Sequence, residues 1–369
     1  MQRPATGGFQ GLRDDLVAAM GEGCARAWSE ARFESLALRV FGHQFETNAV
    51  FRGFCEGRGA TPGTVSSWTE VPPVPVAAFK ALDLACGQPE DAEVVFRTSG
   101  TTRGSTRRGT HYVPDASLYR ASLLPTFGAY LLPDVERLRF VSLIPSPKEA
   151  PDSSLSFMVD AAAEHYATDV RWVVDGEGSI DAVGLAAALT EARDLDAPVL
   201  LLGTAFAFVH ALELEGPGLG ELPDGSRIME TGGFKGRARE IPKDELYARL
   251  GQRTRTPRHR IVNEYGMTEL LSQLYEPVLE EGAEAAGRHR PPPWLRARAL
   301  DPVTLAPLPE GEEGLLAFLD LANAGSVCHV LTEDVGSVVD GDVRLVGRVV
   351  GAEPRGCSRA MDELMSVGR

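Results

Sequence analysis

The sequence predicts an α/β fold: mostly parallel sheet with flanking helices, and a smaller antiparallel β portion towards the C-terminus. Two patterns predict it. From about residue 90, short apolar runs that suit strands alternate with segments of helical spacing, the alternation that builds parallel sheets covered by helices. The stretch CHVLTEDVGSVVDGDVRLVGRVVG instead alternates apolar and polar residues about an Asp340-Gly341 turn, as antiparallel hairpins do. Composition agrees, with 43% of the 369 residues hydrophobic, 24% charged, 25 Pro and 39 Gly. Those proportions exclude a largely disordered, collagenous or coiled-coil chain.

Residues 1–60 read as helical. Leu12–Ala27 carries Leu12, Leu16, Val17 and Met20 on one face, and Glu30–Phe41 continues the pattern. Thr61–Val76 is rich in proline and reads as an extended connector. AEVVFRTSG is then a strand running into a glycine-rich loop, and Asp115–Tyr130 a helix with Asp115 as its N-cap. LRFVSLIP, VRWVV, APVLLLG, SRIME, HRIVNEYG and EGLLAFLDL are strands. The intervening helices are Ser153–Tyr166, Asp181–Arg193, Ala205–Leu214 and Lys243–Leu250. Three regions are expected: a helical part with its connector over 1–80, an α/β nucleotide-binding core over 81–290, and an antiparallel β region over 291–369.

Charge and spacing exclude several functions. A net charge of −15 opposes general nucleic-acid binding, which needs a basic face. The longest uncharged stretch of the apolar middle, Ala197–Leu212, contains Pro198, Gly203 and His210 and is too short for a bilayer span; no apolar leader is visible, so a cytoplasmic setting is expected. Cys24, Cys55, Cys86, Cys328 and Cys357 form no CxxC pair, and their odd number and wide spacing are not those of a disulfide framework. His43, His111, His259 and His289 show no HxH or HExxH spacing, which argues against zinc, while His165, His210 and His329 sit in apolar contexts that suit core positions. No GxSxG is present.

The first chemical signal is the run Thr98-Ser99-Gly100-Thr101-Thr102-Arg103-Gly104-Ser105-Thr106-Arg107-Arg108-Gly109. Glycines let the backbone approach an anion, hydroxyls add donors and the arginines add charge. Its place after a strand is where α/β proteins carry ligand loops. Gly104 and Gly109 have Walker A spacing, but Thr110-His111 follow in place of Lys-Ser/Thr, so a P-loop NTPase is a poor match. The plainer reading is a solvated Ser/Thr/Gly turn.

Further landmarks follow in order. Thr231-Gly232-Gly233-Phe234-Lys235-Gly236 would let a flat ring lie against its backbone. Asn263-Glu264-Tyr265-Gly266-Met267-Thr268-Glu269 sets an aromatic ring, a hydroxyl and a carboxylate at a strand's C-terminal end, groups able to pack on a base, touch a phosphate and hold Mg²⁺. Thr332-Glu333-Asp334-Val335-Gly336 offers a carboxylate for ribose hydroxyls, and Gly347-Arg348 closes a hairpin. Singly, each also reads as a capped turn, a tight loop, a solvated acid or a surface arginine.

Taken together and in order, the TSGTT, GG, YGxTE, TxDxG and GR elements resemble the adenylate-forming superfamily of acyl-CoA synthetases and adenylation domains. Within it the chain resembles the LuxE-type acyl-protein synthetases. The supporting stretches are QFETNAVFRGFC, VPPVPVAAFK, FRTSGTT, SLIPSP with DSSLSFM, ETGGFKG, NEYGMTEL and GRVVGAEPRGCS, which cover nearly the whole sequence. The resemblance implies the fold of the large N-terminal domain of adenylate-forming enzymes. It also implies that Thr98, Ser99, Gly100, Thr101, Thr102 and Gly104 wrap the phosphates of ATP, and that Gly232 and Gly233 border adenine with Tyr265 and Gly266. Thr268 would contact the α-phosphate, Glu269 hold Mg²⁺, and Asp334 the ribose with Arg348 nearby. Arg107 and Arg108 stand where the superfamily's loop carries a basic end.

Adenylate-forming enzymes continue past the GR element into a C-terminal subdomain on the order of 100 residues. Here the sequence stops at Arg369, so that subdomain is expected to be absent and the acyl acceptor to lie elsewhere. Cys357 in Pro354-Arg355-Gly356-Cys357-Ser358-Arg359 is the candidate: flanking arginines favour thiolate, Pro354 and Gly356 suggest a turn-rich, mobile segment, and the family's matching cysteine accepts the acyl group as a thioester. The expected activity is ATP-dependent activation of a carboxylic acid, fatty or otherwise apolar, followed by transfer to Cys357 for a reductase or carrier protein. The alternatives are an aryl- or acyl-CoA ligase and a non-catalytic nucleotide-binding relative. Phe206, Phe208 and Phe234 suggest an apolar acid pocket, or simply core.

Overall fold

The structure, a computed structural model, describes residues 7–98, 108–214, 218–232, 241–349 and 354–367. The chain divides into two compact units. One comprises Met1–Pro125, Met267–Gln273 and Arg290–Arg369, the other Thr126–Gly266 and Leu274–His289.

Helices α1 (Gly7–Met20), α2 (Glu30–Thr47) and α3 (Ala49–Gly57) open the first unit. α1 stops at Met20 instead of reaching Ala27, because Gly21 and Gly23 follow and glycine supports a helix poorly. Ser29 caps α2 by accepting from Arg32 N, and Asn48 caps α3 by accepting from Phe51 N. The proline-rich connector is interrupted by a short 3₁₀ turn at Trp68–Glu70 and ends in strand β1 (Val74–Pro75). Strands β2 (Val94–Arg97) and β3 (Thr110–Val113) pair antiparallel around the glycine-rich loop. Helix α4 (Ala116–Leu131) follows, and the chain passes into the second unit at Pro125 within it.

The second unit holds β4 (Leu138–Leu143), α5 (Ser154–Tyr166), β5 (Ala167–Trp172), α6 (Ala182–Asp194), β6 (Val199–Thr204), α7 (Ala205–Glu213), β7 (Arg227–Thr231), α8 (Lys243–Thr254), β8 (Ile261–Tyr265), β9 (Leu274–Tyr275) and α9 (Val278–Glu281). Its sheet runs β5-β4-β6-β7-β8-β9, parallel throughout except for β9. β6 is buried from Val199 to Gly203, the near-continuous apolar run expected of a strand covered on both faces. Leu143, Leu189, Leu201, Phe208, Ile228 and Leu250 share one cluster, each such side chain contributing roughly 1.5–3 kcal/mol by leaving water.

The first unit resumes with β10 (Leu295–Leu300), β11 (Gly314–Asp320), β12 (His329–Val339), β13 (Asp342–Arg348) and helix α10 (Arg355–Val367). Its sheet runs β1-β12-β11-β10, with β13 pairing β12. β1 and β12 are parallel and the other pairs antiparallel. The run EGLLAFLDL therefore belongs to an antiparallel sheet. It resembles a parallel strand because every residue of β11 is buried. β10, absent from the expected elements, is hidden in sequence by its arginines: Arg296 lies 4.1 Å from the centre of the Phe33 ring and Arg298 5.0 Å from that of Trp68. The Asp340-Gly341 turn closes its hairpin with positive φ at both residues, 51° and 83°. Among the described residues no helix is long and apolar enough to cross a membrane.

Candidate functional site

The base of the glycine-rich loop is tied shut in the first unit. Thr98 N donates to Gly109 O at 2.9 Å, and Gly109 N donates to Thr98 Oγ1 at 2.8 Å. Arg108 donates to the hairpin backbone, to Thr98 O at 2.5 Å and Arg97 O at 3.1 Å. A methyl on Gly109 would sit 3.0 Å from Thr98 Cγ2 and 3.4 Å from Lys80 Cγ, so Lys80 stands against this base. Ser99, Gly100, Thr101, Thr102, Gly104 and Arg107 lie outside the described residues.

The segment carrying Thr268 and Glu269 also belongs to the first unit, and buried side chains hold it at successive points. His111 on β3 donates from Nδ1 to Thr268 O at 2.7 Å, and Asn323 Nδ2 donates to Glu269 O at 2.7 Å. Asp320 accepts from Leu271 N at 2.9 Å and Ser272 Oγ at 2.6 Å. Burial pushes the Asp320 carboxyl up to about 6 and the His111 ring down to about 4, so the imidazole is neutral near pH 7 and has a single N–H. Glu269 itself is buried.

Asp334 and Arg348 meet across the β12–β13 ladder as register partners. Arg348 Nε is 3.9 Å from Asp334 Oδ1, and its Nη2 donates to Glu333 Oε2 at 2.9 Å. Cys357 packs against their neighbours in sequence. It is 2% exposed, in a cluster with Leu300, Leu315, Ala317 and Leu331 that also meets Leu305, Val335 and Val349. Its segment is helical, unlike the turn-rich stretch expected: Cys357, Ala360 and Leu364 recur at helical spacing and form the buried stripe of α10. Gly356 N donates to Pro302 O at 3.0 Å, and Glu363 accepts from Arg58 Nε at 2.7 Å.

In the second unit Gly232 follows β7 with φ +70°, a left-handed conformation that favours glycine, and is exposed. Phe208 is core, packed under Gly203, whereas Phe206 is half-buried; Gly233 and Phe234 lie outside the described residues. Tyr265 lies edge-on to His289, ring centres 6.3 Å apart. Behind these strand ends is a polar network. Glu230 accepts from Tyr247 Oη at 2.7 Å and Asn263 Nδ2 at 2.6 Å. Asn263 Oδ1 accepts from Lys243 Nζ at 2.6 Å and lies 2.6 Å from His289 Nε2. Thr231 Oγ1 donates to Glu264 in a short contact. Burial lifts both Glu230 and Glu264 to about 7.

The structure thus gathers Thr98 with the loop base, Thr268 with Glu269, and Asp334 with Arg348 and the Cys357 cluster in one unit, and Gly232, Tyr265 and Gly266 in the other. Sequence reading missed Lys80, His111, Asn323, Asp320 and Glu230. Lys80 closes the quoted VPPVPVAAFK stretch, and Glu230 immediately precedes the double-glycine loop, so their positions were signals. His165 and His210, expected in the core, are exposed in the last turns of α5 and α7, whereas His111, His289 and His329 are buried. No disulfide joins the five cysteines, and among the described residues no cluster of three or more His, Cys, Asp or Glu could hold a metal by itself.

Comparison with known proteins agrees with this architecture. A family model described as acyl-protein synthetase, LuxE, matches residues 25–366. The long-chain-fatty-acid–luciferin-component ligase of Vibrio harveyi is 25% identical over 368 residues, covering 95% of this chain and 93% of that protein. Its counterpart from Aliivibrio fischeri is 24% identical over 345 residues, covering 89% and 87%. Among solved structures, 2-hydroxyisobutyryl-CoA ligase in the postadenylation state aligns with a TM-score of 0.61 at 14% identity, over 88% of this chain and 69% of that one. ATP-bound MatB from Rhodopseudomonas palustris aligns with a TM-score of 0.51 at 17% identity, over 79% of this chain. The aligned part spans 56% of MatB. These structural likenesses speak for the fold. With a family match running through both units, the chain belongs to the LuxE family of acyl-protein synthetases and is a ligase.

Proposed function

We propose that the protein uses ATP to activate an apolar carboxylic acid and captures the acyl group on Cys357. One observation supports the second half of this reading: Val335, next to Asp334 on the hairpin that pairs Asp334 with Arg348, packs against the same apolar cluster as Cys357 of α10. The first half is supported by the names of the relatives, fatty-acid ligases, and by the adenylate-forming fold.

In the first step a carboxylate oxygen attacks the α-phosphorus of ATP and pyrophosphate leaves, giving the acyl-adenylate. Thr98, Ser99, Gly100, Thr101, Thr102 and Gly104 supply donors to the phosphates, with Lys80 as the cation at the loop's base. Thr268 meets the α-phosphate, Gly232, Gly233, Tyr265 and Gly266 border the adenine, and Asp334 accepts from the ribose with Arg348 orienting it. Donors fixed before reaction stabilise the charge that develops on phosphorus without reorganising. Glu269 would hold Mg²⁺. One buried carboxylate fits that ion, which takes its remaining ligands from water and phosphate and would neutralise the departing pyrophosphate.

In the second step the Cys357 thiolate attacks the acyl carbon, a thioester forms and AMP leaves with the bonding pair. Helix α10 must undock for this. The helix is held through its buried stripe, the Gly356 amide and the Arg58–Glu363 pair, and opening it locally costs less than global unfolding. The setting is a reducing cytoplasm, and the onward acceptor a reductase or carrier protein.

The test incubates the protein with ATP, Mg²⁺ and labelled carboxylic acids. Expected is a protein-bound label released by hydroxylamine and lost in Cys357→Ser, with pyrophosphate exchange retained. A label indifferent to Cys357→Ser rejects the thioester. The burial of Cys357 favours one second reading, delivery of the adenylate to CoA; acyl-CoA formed equally well by Cys357→Ser would select it.

A further inference from the structure

The side chains of His111 and Asn323 raise a question of donors. Both are buried, at 1% and 0% exposure. The neutral ring gives its one N–H, on Nδ1, to Thr268 O, which leaves Nε2 an acceptor. Asn323 gives an Nδ2 proton to Glu269 O, which leaves Oδ1 an acceptor. The Asn323 side chain also acts directly on the His111 ring, and both residues line one small cavity with Leu118, Leu271 and Ala322, so the two anchors support each other.

The two anchored carbonyls belong to consecutive residues, Thr268 and Glu269. Their anchors come from separate elements, β3 and the 3₁₀ turn Leu321–Asn323, each buried and itself fixed. Phe79 stands edge-on to the His111 ring, centres 5.5 Å apart, and Asn323 O accepts from Gln44 Nε2 at 2.8 Å. A side chain that only filled space would need no donor at either position. Two buried donors aimed at two successive peptide oxygens instead fix the rotation of the peptide planes, and with them the directions in which the Thr268 and Glu269 side chains leave the backbone.

We infer that His111 and Asn323 are positioning residues for the Thr268-Glu269 segment, two mutually supporting side chains that clamp its successive carbonyls. The inference rests on the reading of Thr268 and Glu269 as groups that meet phosphate and Mg²⁺, and it names what aims them. Neither His111 nor Asn323 touches substrate in this scheme.

The experiment compares wild type with His111→Phe, His111→Gln and Asn323→Ala in acid-dependent ATP–pyrophosphate exchange, varying ATP and Mg²⁺ separately. Loss of aim should lower kcat on the order of 10–100-fold in His111→Phe and Asn323→Ala. KM for ATP should move less than about threefold, because the segment's aim matters more in the transition state than in binding, and the Mg²⁺ needed for half-maximal rate should rise. His111→Gln, which keeps an N–H donor, should recover a large part of kcat. Equal losses in the Phe and Gln variants, or losses in proportion to a fall in Tm, overturn the positioning role. The ring ¹⁵N shifts of His111 give an answer independent of turnover: a proton on Nδ1 with an accepting Nε2 supports the clamp, and a proton on Nε2 overturns it. A wild type that exchanges pyrophosphate with no acid removes the functional reading instead, and the tautomer then decides the clamp alone.

Discussion

Arg348 faces Asp334 across the β12–β13 ladder, its Nε 3.9 Å from Oδ1, while its Nη2 takes a 2.9 Å bond to Glu333. The side chains are 54% and 22% exposed, a range in which ion pairs contribute about 0–1 kcal/mol to stability. Arg348→Ala and Asp334→Ala should therefore leave Tm nearly unchanged. If the pair orients a ribose, each should raise KM for ATP about tenfold or more, as loss of a hydrogen bond to a charged group does. Steady-state pyrophosphate release at varied ATP decides it: an unchanged KM in both variants assigns the pair to the hairpin alone.

The loop base yields a second prediction. Gly109 has Thr98 and Lys80 within contact of any added methyl, at 3.0 and 3.4 Å. Gly109→Ala should misplace both the loop's closing hydrogen bond and the lysine. Lys80→Met removes only the charge, keeping the length of the stem. Kinetics should show Lys80→Met lowering kcat/KM for ATP by about 10–1000-fold, the range for one preorganised electrostatic group, with a normal melting curve. Activity of Lys80→Met within about twofold of wild type would remove Lys80 from the site.

Much of this was legible in the sequence, and the failures have causes. The parallel strands β4, β6, β7 and β8 were readable because burial on both faces leaves apolar runs between helices with plain caps, such as Ser153 and Asp181. β11 was readable as a strand inside the antiparallel region expected over 291–369, although its full burial erases the alternation that marks an antiparallel partner. β10 was hidden by arginines whose stems cover aromatic rings. The landmark residues of the proposed site stand out in the sequence as short runs of Gly, Ser and Thr, the types that suit a loop approaching a ligand. Their supports do not: His111 and Asn323 act through one hydrogen bond each, from positions 157 and 54 residues away along the chain, and no local pattern announces such a contact.

Glu230 links the second unit's stability to pH. Burial, opposed by Lys243, pushes its carboxyl up from an ordinary 4.5 to about 7. Between those values the folded protein holds a proton that the unfolded chain has released. Stability therefore falls as pH rises through about 4.5 to 7 and is flat, with the full penalty present, above it. Glu230→Gln keeps acceptors for Tyr247 and Asn263 and has no proton to lose. Its urea midpoint should rise relative to wild type between about pH 5 and pH 8, by up to about 3 kcal/mol in stability. A variant less stable than wild type by the same margin at both pH values would mean that the carboxylate is held ionised in the fold.

Cys357 tests the dynamics that the chemistry requires. Being 2% exposed, it should react slowly with iodoacetamide in the resting protein. Cys55 and Cys328 should be slower still, since burial pushes the first thiol up to about 12 and the second higher. A methyl on Gly356 would meet Leu305 Cδ2 at 2.7 Å and Pro302 O at 3.0 Å, so Gly356→Ala should loosen the start of α10 and speed alkylation of Cys357. A rate increase of about tenfold corresponds to lowering the opening free energy by about 1.4 kcal/mol. Peptide mapping after a timed pulse reads each cysteine separately. If acyl transfer uses this opening, ATP plus an activated acid should protect Cys357 by acylating it, and hydroxylamine should restore its alkylation. Reaction of Cys357 at the same rate in wild type and Gly356→Ala, unaffected by ATP and acid, would leave the thiol a core residue and move the acceptor off this chain.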